Sequence, residues 1–142
     1  MAVQTTYQEN LDVGRVGAIA DTTNKVLISR TAEDAAIGFG VPIAQGTADR
    51  GARATATGDT TVIGITVRER SATDDQWAVG ESMRVMKQGA IYVEAAATVA
   101  AGDAVHVIVD GGTFSNTGGV EIPGALYESS GDAGDLVQVR LA

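Results

Sequence analysis

Three times in this chain a glycine followed by a carboxylate launches the same short alternating strand. The stretches are Val79-Gly80-Glu81-Ser82-Met83-Arg84-Val85, Ala101-Gly102-Asp103-Ala104-Val105-His106-Val107 and Ala133-Gly134-Asp135-Leu136-Val137-Gln138-Val139. In each, the third and fifth residues after the glycine are apolar (Met83 and Val85, Val105 and Val107, Val137 and Val139), and the residue between them is polar (Arg84, His106, Gln138). Strand side chains alternate between faces, so this pattern predicts one buried face and one wet face. The glycine accepts positive φ and the carboxylate can bond nearby backbone N–H groups, which together make the turn that starts each strand. The copies are unequally spaced, so they reflect recurrent turn chemistry and not a stacked solenoid. The expected fold is all-β.

With 142 residues the chain fits one domain, and a domain of this size buries roughly 68–70% of its unfolded surface. It has no cysteine, which excludes disulfides, thiolate metal sites and cysteine nucleophiles. Eighteen glycines and only 4% aromatic residues suit many tight turns around a core of Val, Ile and Ala, and argue against an aromatic-lined sugar or nucleic-acid platform. The net charge of −8 disfavours direct contact with nucleic acid or an anionic membrane, because phosphate binding needs clustered Lys and Arg. The first ten residues have neither a basic start nor an apolar core, so no signal peptide is expected. Nor is there an apolar run of about 18 residues able to span a bilayer. A soluble protein made in the cytoplasm is the expectation.

Residues 1–20 lack sustained alternation and read as an extended arm, leaving 21–142 as a single β domain. A strand is expected over residues 25–30, and one helical turn over 31–36, where Thr31 and Asp34 resemble a helix-start box. Gly38-Phe39-Gly40-Val41-Pro42-Ile43 reads as a turn into a strand that Pro42 confines to an edge or a start. Residues 45–61 read as a surface loop or irregular hairpin, and Ile63, Ile65 and Val67 share one face of the next strand. Further strands are expected around 82–87, 89–94, 104–109, 112–115, 121–128 and 135–141, separated by turn signals that include Lys87-Gln88-Gly89. Short strands at this spacing suggest a sandwich, jelly roll or barrel.

The order of these segments resembles the cement, or head-decoration, proteins of tailed bacteriophages. The matching features run nearly end to end: Gln4-Thr5-Thr6-Tyr7, Gly17-Ala18-Ile19-Ala20-Asp21, Ile37-Gly38-Phe39-Gly40-Val41-Pro42 and Ile63-Gly64-Ile65-Thr66-Val67-Arg68, then Trp77-Ala78-Val79-Gly80-Glu81, Lys87-Gln88-Gly89-Ala90-Ile91-Tyr92-Val93, Ala100-Ala101-Gly102-Asp103-Ala104-Val105 and Val137-Gln138-Val139-Arg140-Leu141. Their succession, more than any one of them, carries the likeness. The resemblance implies a jelly-roll-like β domain on the outside of a capsid, gripping the major capsid protein and stabilising its lattice, with no catalysis and no cofactor. It further implies a virion location after synthesis in the host cytoplasm, with other copies as partners in dimers or trimers at capsid symmetry axes.

No residue pattern supplies a catalytic, cofactor or metal site. His106 is the only histidine, has no cysteine or second histidine to share a metal with, and reads as a solvated strand residue. Asp74-Asp75 and Asp132-Ala133-Gly134-Asp135 lack EF-hand spacing and read as turn carboxylates. Gly38-Phe39-Gly40 lacks the lysine of a phosphate loop and leads to Pro42 instead of a helix. Partner contacts are expected at Thr5, Thr6, Tyr7, Leu11 and Val13 of the arm, and at Trp77, Arg68 and Arg70. Trp77 reads as either a core lid or an exposed interface anchor. The Arg68-Glu69-Arg70 rim is either solvated or paired with carboxylates of a shell protein. The competing readings are a carbohydrate- or ligand-binding β module, which scarce aromatics disfavour, and a small-barrel enzyme, for which one histidine and no cysteine leave few constellations.

Overall fold

The computed structural model describes residues 15–21, 23–69 and 73–142. The described strands are β1 (Val26–Ala32), β2 (Ile37–Gly38), β3 (Pro42–Gln45), β4 (Gly51–Ala54), β5 (Gly64–Thr66), β6 (Gln76–Trp77), β7 (Ser82–Glu94), β8 (Ala104–Ile108), β9 (Thr113–Ser115), β10 (Val120–Tyr127) and β11 (Leu136–Leu141). A single 3-10 turn, Thr73–Asp75, is the one helical element among the described residues. The all-β expectation holds, and Pro42 opens β3, where its missing N–H costs the ladder nothing.

The architecture turns on β7. Its 13 residues run roughly 40 Å at about 3.3 Å per residue, and each half belongs to a different ring of strands. The first half pairs with β1 on one edge (Ile28 opposite Val85, Arg30 opposite Met83) and with β5 on the other (Ile65 opposite Met86). From β5 the ladder passes to β3, then β4, then back to β1 through a parallel pair, Thr31 opposite Gly51, which closes a five-stranded ring. The second half of β7 pairs with β11, and the order continues through β10 and β8 to β9. A bridge between Ala95 and Phe114 closes this second ring, with the Ala96 N–H donating to the Phe114 carbonyl at 2.8 Å. The barrel-or-sandwich expectation is thus met by two small rings sharing one strand.

Each ring has its own core. Ala32, Ile37, Phe39, Ile43, Ala52, Trp77, Met83 and Val85 form one cluster, while Ile91, Val93, Val105, Val107, Phe114, Tyr127, Val137 and Val139 anchor the other. Val85 belongs to the first cluster and Met86 to the second, so both faces of β7 are covered where the rings meet and its alternation breaks into two adjacent buried residues. In β8 and β11 the alternation holds: Val105, Val107, Val137 and Val139 are fully buried, with His106 and Gln138 half-buried between them.

Three expectations are corrected. Lys87-Gln88-Gly89 is not a turn between two strands but lies inside β7. Gly89 takes φ +124°, and a Cβ there would press on the Cβ and Cα of Lys25 at 3.0 and 3.2 Å, so the glycine permits a close crossing instead of a reversal. Thr31 and Ala32 end β1 instead of starting a helical turn, and the Glu33 carboxylate that follows accepts the N–H groups of Thr47 (2.7 Å) and Ala48 (3.0 Å). That ties the end of β1 to the β3–β4 connection, a tertiary contact invisible to local pattern. Finally, residues 15–20, assigned to the arm, lie against the second half of β7: the Gly17 N–H donates to the Tyr92 carbonyl (2.8 Å), Tyr92 returns a bond to Ala18 (3.0 Å), and Ala20 donates to Ala90 (2.9 Å). Ile19 bridges Ile91 in the same register.

Candidate partner-binding surface

The Gly-carboxylate turns are one structure built four times. In Ala78–Glu81, Ala100–Asp103 and Asp132–Asp135 the glycine takes φ near +90°, the fourth residue's N–H donates back to the first residue's carbonyl at 3.0 Å, and its carboxylate accepts the first residue's N–H at 3.1, 2.9 and 2.8 Å. The sequence reading missed a fourth copy, Ala56-Thr57-Gly58-Asp59, with the same bonds at 3.1 and 2.7 Å. The shared signal is a Gly-Asp or Gly-Glu pair, but no regular strand follows Asp59. Here Asp59 also takes a two-pronged ion pair from Arg53, both contacts 2.8 Å, which holds its carboxyl down at about 2, with the Ala56 N–H helping. These carboxylates are therefore committed to turns. Among the described residues no cluster of three or more potential metal ligands occurs.

The contact residues expected from sequence are scattered. Thr5, Thr6, Tyr7, Leu11, Val13 and Arg70 lie outside the described residues. Trp77 is only 5% exposed and meets Phe39 edge-on, ring centroids 5.8 Å apart at 72°. Of its two readings the core lid is right, and it presents no anchor to a partner. Arg68 is held within the chain: its guanidinium lies 4.9 Å from the Phe39 ring centre, donates to the Val16 carbonyl at 3.0 Å and pairs with Asp75 at 3.2 Å. It pins residues 16–17 onto the first ring. His106 is half-buried, and its Nδ1 lies 2.8 Å from the Gly118 carbonyl; a carbonyl only accepts, so Nδ1 carries the proton.

A different surface gathers more chemistry. Near the crossing of the rings, an open groove of about 270 Å³ is lined by Asn24, Gln88, Gly124, Leu126, Leu141 and Ala142, among others. Leu126, 48% exposed, stands in it, and Val26, 43% exposed, is paired with Gln88 at its rim. On one wall Arg140 bonds Glu128 and, at 2.5 Å, Asp21, joining β11, the segment after β10 and the N-terminal segment. The Arg140 bond, then the Thr23 N–H, lower the Asp21 pKa, while Glu128 first and Asp21 second raise that of Arg140. The groove was not legible in advance because its residues come from four separate stretches.

A family model described as structural cement protein (E217 gp24/Pam3 gp6) matches residues 3–142. Among solved structures, the chain is similar to a protein in the capsid of Myoviridae phage XM1, with a TM-score of 0.77 at 15% identity, covering 99% of this chain and 98% of that one. It also matches the head fibre gp8.5 N base of bacteriophage phi29, with a TM-score of 0.49 at 15% identity over 83% of this chain and 94% of that one. The XM1 likeness is one of fold. No curated protein matches the chain.

Proposed function

The chain belongs to the structural cement protein family, and from that premise we propose that it attaches to the outer surface of a phage head by gripping the major capsid protein, without catalysis. Its role is structural, in stabilising a capsid, and its place is the virion capsid. The observation that carries the proposal is the extent of the match: residues 3–142 include both rings and every turn that shapes them. An exterior position is supported by the charge of −8, which would repel packaged DNA. The mechanism is linkage, in which a ligand that binds only the assembled lattice lowers the free energy of that lattice, and many weak contacts add across the copies on one shell.

Both rings use their strand edges for internal pairing, so side chains supply most of the contact that the described residues can make. Thr5, Thr6, Tyr7, Leu11 and Val13 are proposed to add to it, as is Arg70, with neighbouring copies completing dimers or trimers at symmetry axes after synthesis in the host cytoplasm. The test is to incubate purified chain with shells assembled without a cement protein. Uptake to a fixed number per shell, with a raised shell melting temperature, is expected; shells that take up none would refute the reading. Deleting residues 2–14 should weaken uptake, and unchanged occupancy would remove those residues from the contact.

A further inference from the structure

We infer that the groove around Leu126 receives an acidic segment of the shell protein that carries an apolar anchor residue. This rests on the shell-binding reading and names the face that does the binding. Three large apolar side chains are exposed among the described residues, Val26, Val79 and Leu126. Val79 sits alone at a turn tip, whereas Leu126 stands in the groove and Val26 pairs with a residue that lines it. Scattered exposed apolar residues are ordinary; two converging on one concavity mark a contact surface.

Charge identifies the occupant. The chain carries eight more acidic than basic residues and has only two lysines, Lys25 and Lys87. Both are exposed and flank the groove in sequence, Lys25 beside Asn24 and Val26, Lys87 beside Gln88. Arg140, on the groove wall, is already bonded by two carboxylates, Asp21 and Glu128, so that cluster has no positive charge to spare. Among the described residues neither lysine has an ion-pair partner. Lys25 and Lys87, adjacent in sequence to groove-lining Asn24 and Gln88, are thus the exposed cations near the groove with no carboxylate partner among the described residues, and they favour an acidic segment over a basic one. An apolar side chain of the partner would cover Leu126 and Val26 while its acidic neighbours meet Lys25 and Lys87, a buried anchor with a polar rim.

Attachment of the full chain to shells lacking a cement protein tests this, read as occupancy against concentration at two salt levels. Lys25→Glu with Lys87→Glu should weaken attachment about tenfold or more and abolish its salt sensitivity. Leu126→Gln should weaken it without changing salt sensitivity, and Val79→Gln should bind as the unaltered chain does. All these positions are exposed, so the melting temperature of each variant should match that of the unaltered chain and exclude misfolding as the cause. If the unaltered chain attaches and both the charge-reversed and Leu126 variants attach equally well, the groove is not the contact and the shell-binding reading stands. Loss of self-association with shell attachment intact would assign the groove to a second copy and overturn the inference. Failure of the unaltered chain to attach would sink the reading beneath it as well.

Discussion

Single residues here divide sharply between those that hold the cores and those that only face water. Val107 is fully buried in the second ring, and Val107→Asp would place an unpaired carboxylate there at a cost of about 4 kcal/mol or more. Soluble yield should collapse. Its neighbour His106 faces the other way with one bond to Gly118, so His106→Ser should cost no more than about 1 kcal/mol. Equal melting temperatures for the two variants would mean the register is wrong. Asp59 makes a large contribution to the pH response at the same scale. Its carboxyl titrates near 2 in the folded chain, against an ordinary 3.8, because Arg53 and the Ala56 N–H favour the charged form. The stability this gives is fully present above about pH 4 and is lost as pH falls through 2. Asp59→Asn should make the fall in melting temperature between pH 4 and pH 2 shallower, with Asp21 and Asp103, whose pKa values are also lowered, supplying the remainder, and a variant tracking the unaltered chain through that window would show that the Arg53 pair does not couple to folding.

At the level of elements, the turns are the most exacting parts of the sequence. A Cβ added at Gly58, Gly80, Gly102 or Gly134 would meet nothing within 4 Å, so space does not demand glycine there; the positive φ does. Gly102→Ala is expected to cost about 1 kcal/mol through backbone strain alone, and removal of the carboxylate by Asp103→Ala should also lower the melting temperature, since the Ala100 N–H and Asn116 lose their acceptor. Calorimetric melting of the two variants checks this, and a neutral Gly102→Ala would show that the turn relaxes to another type. These turns and the strands they launch were legible because each is set by a few adjacent residues. Ring closure was not. The parallel pairing of β1 with β4 and the bridge from Ala95 to Phe114 join residues far apart in sequence, and no local period encodes them. The misread turn at Gly89 has the same origin: a glycine needed for the approach of Lys25 looks like a glycine needed for a reversal. Trp77 likewise offered two readings until Phe39 was found against it.

For the whole molecule, the shared strand links the two cores into one cooperative unit. Because β7 supplies Met83 and Val85 to one cluster and Met86, Ile91 and Val93 to the other, neither ring can lose it and keep its core, so a single calorimetric unfolding transition is expected, and two resolved transitions would mean the rings fold independently. A rigid unit of this kind suits a protein whose work is to be bound, since little conformational freedom is lost on attachment. Stabilisation by reversible binding then has a quantitative signature. Above the dissociation constant, each tenfold rise in free chain adds about 1.4 kcal/mol per occupied site to the assembled lattice. The melting temperature of decorated shells should therefore keep climbing with the logarithm of free chain concentration even after every site is filled. Each attached copy contributes a small increment, and the many copies on a shell make it measurable. A melting temperature that levels off as soon as occupancy saturates would show instead that the attached copies do not exchange, and that the shell is held by a kinetic barrier and not by mass action.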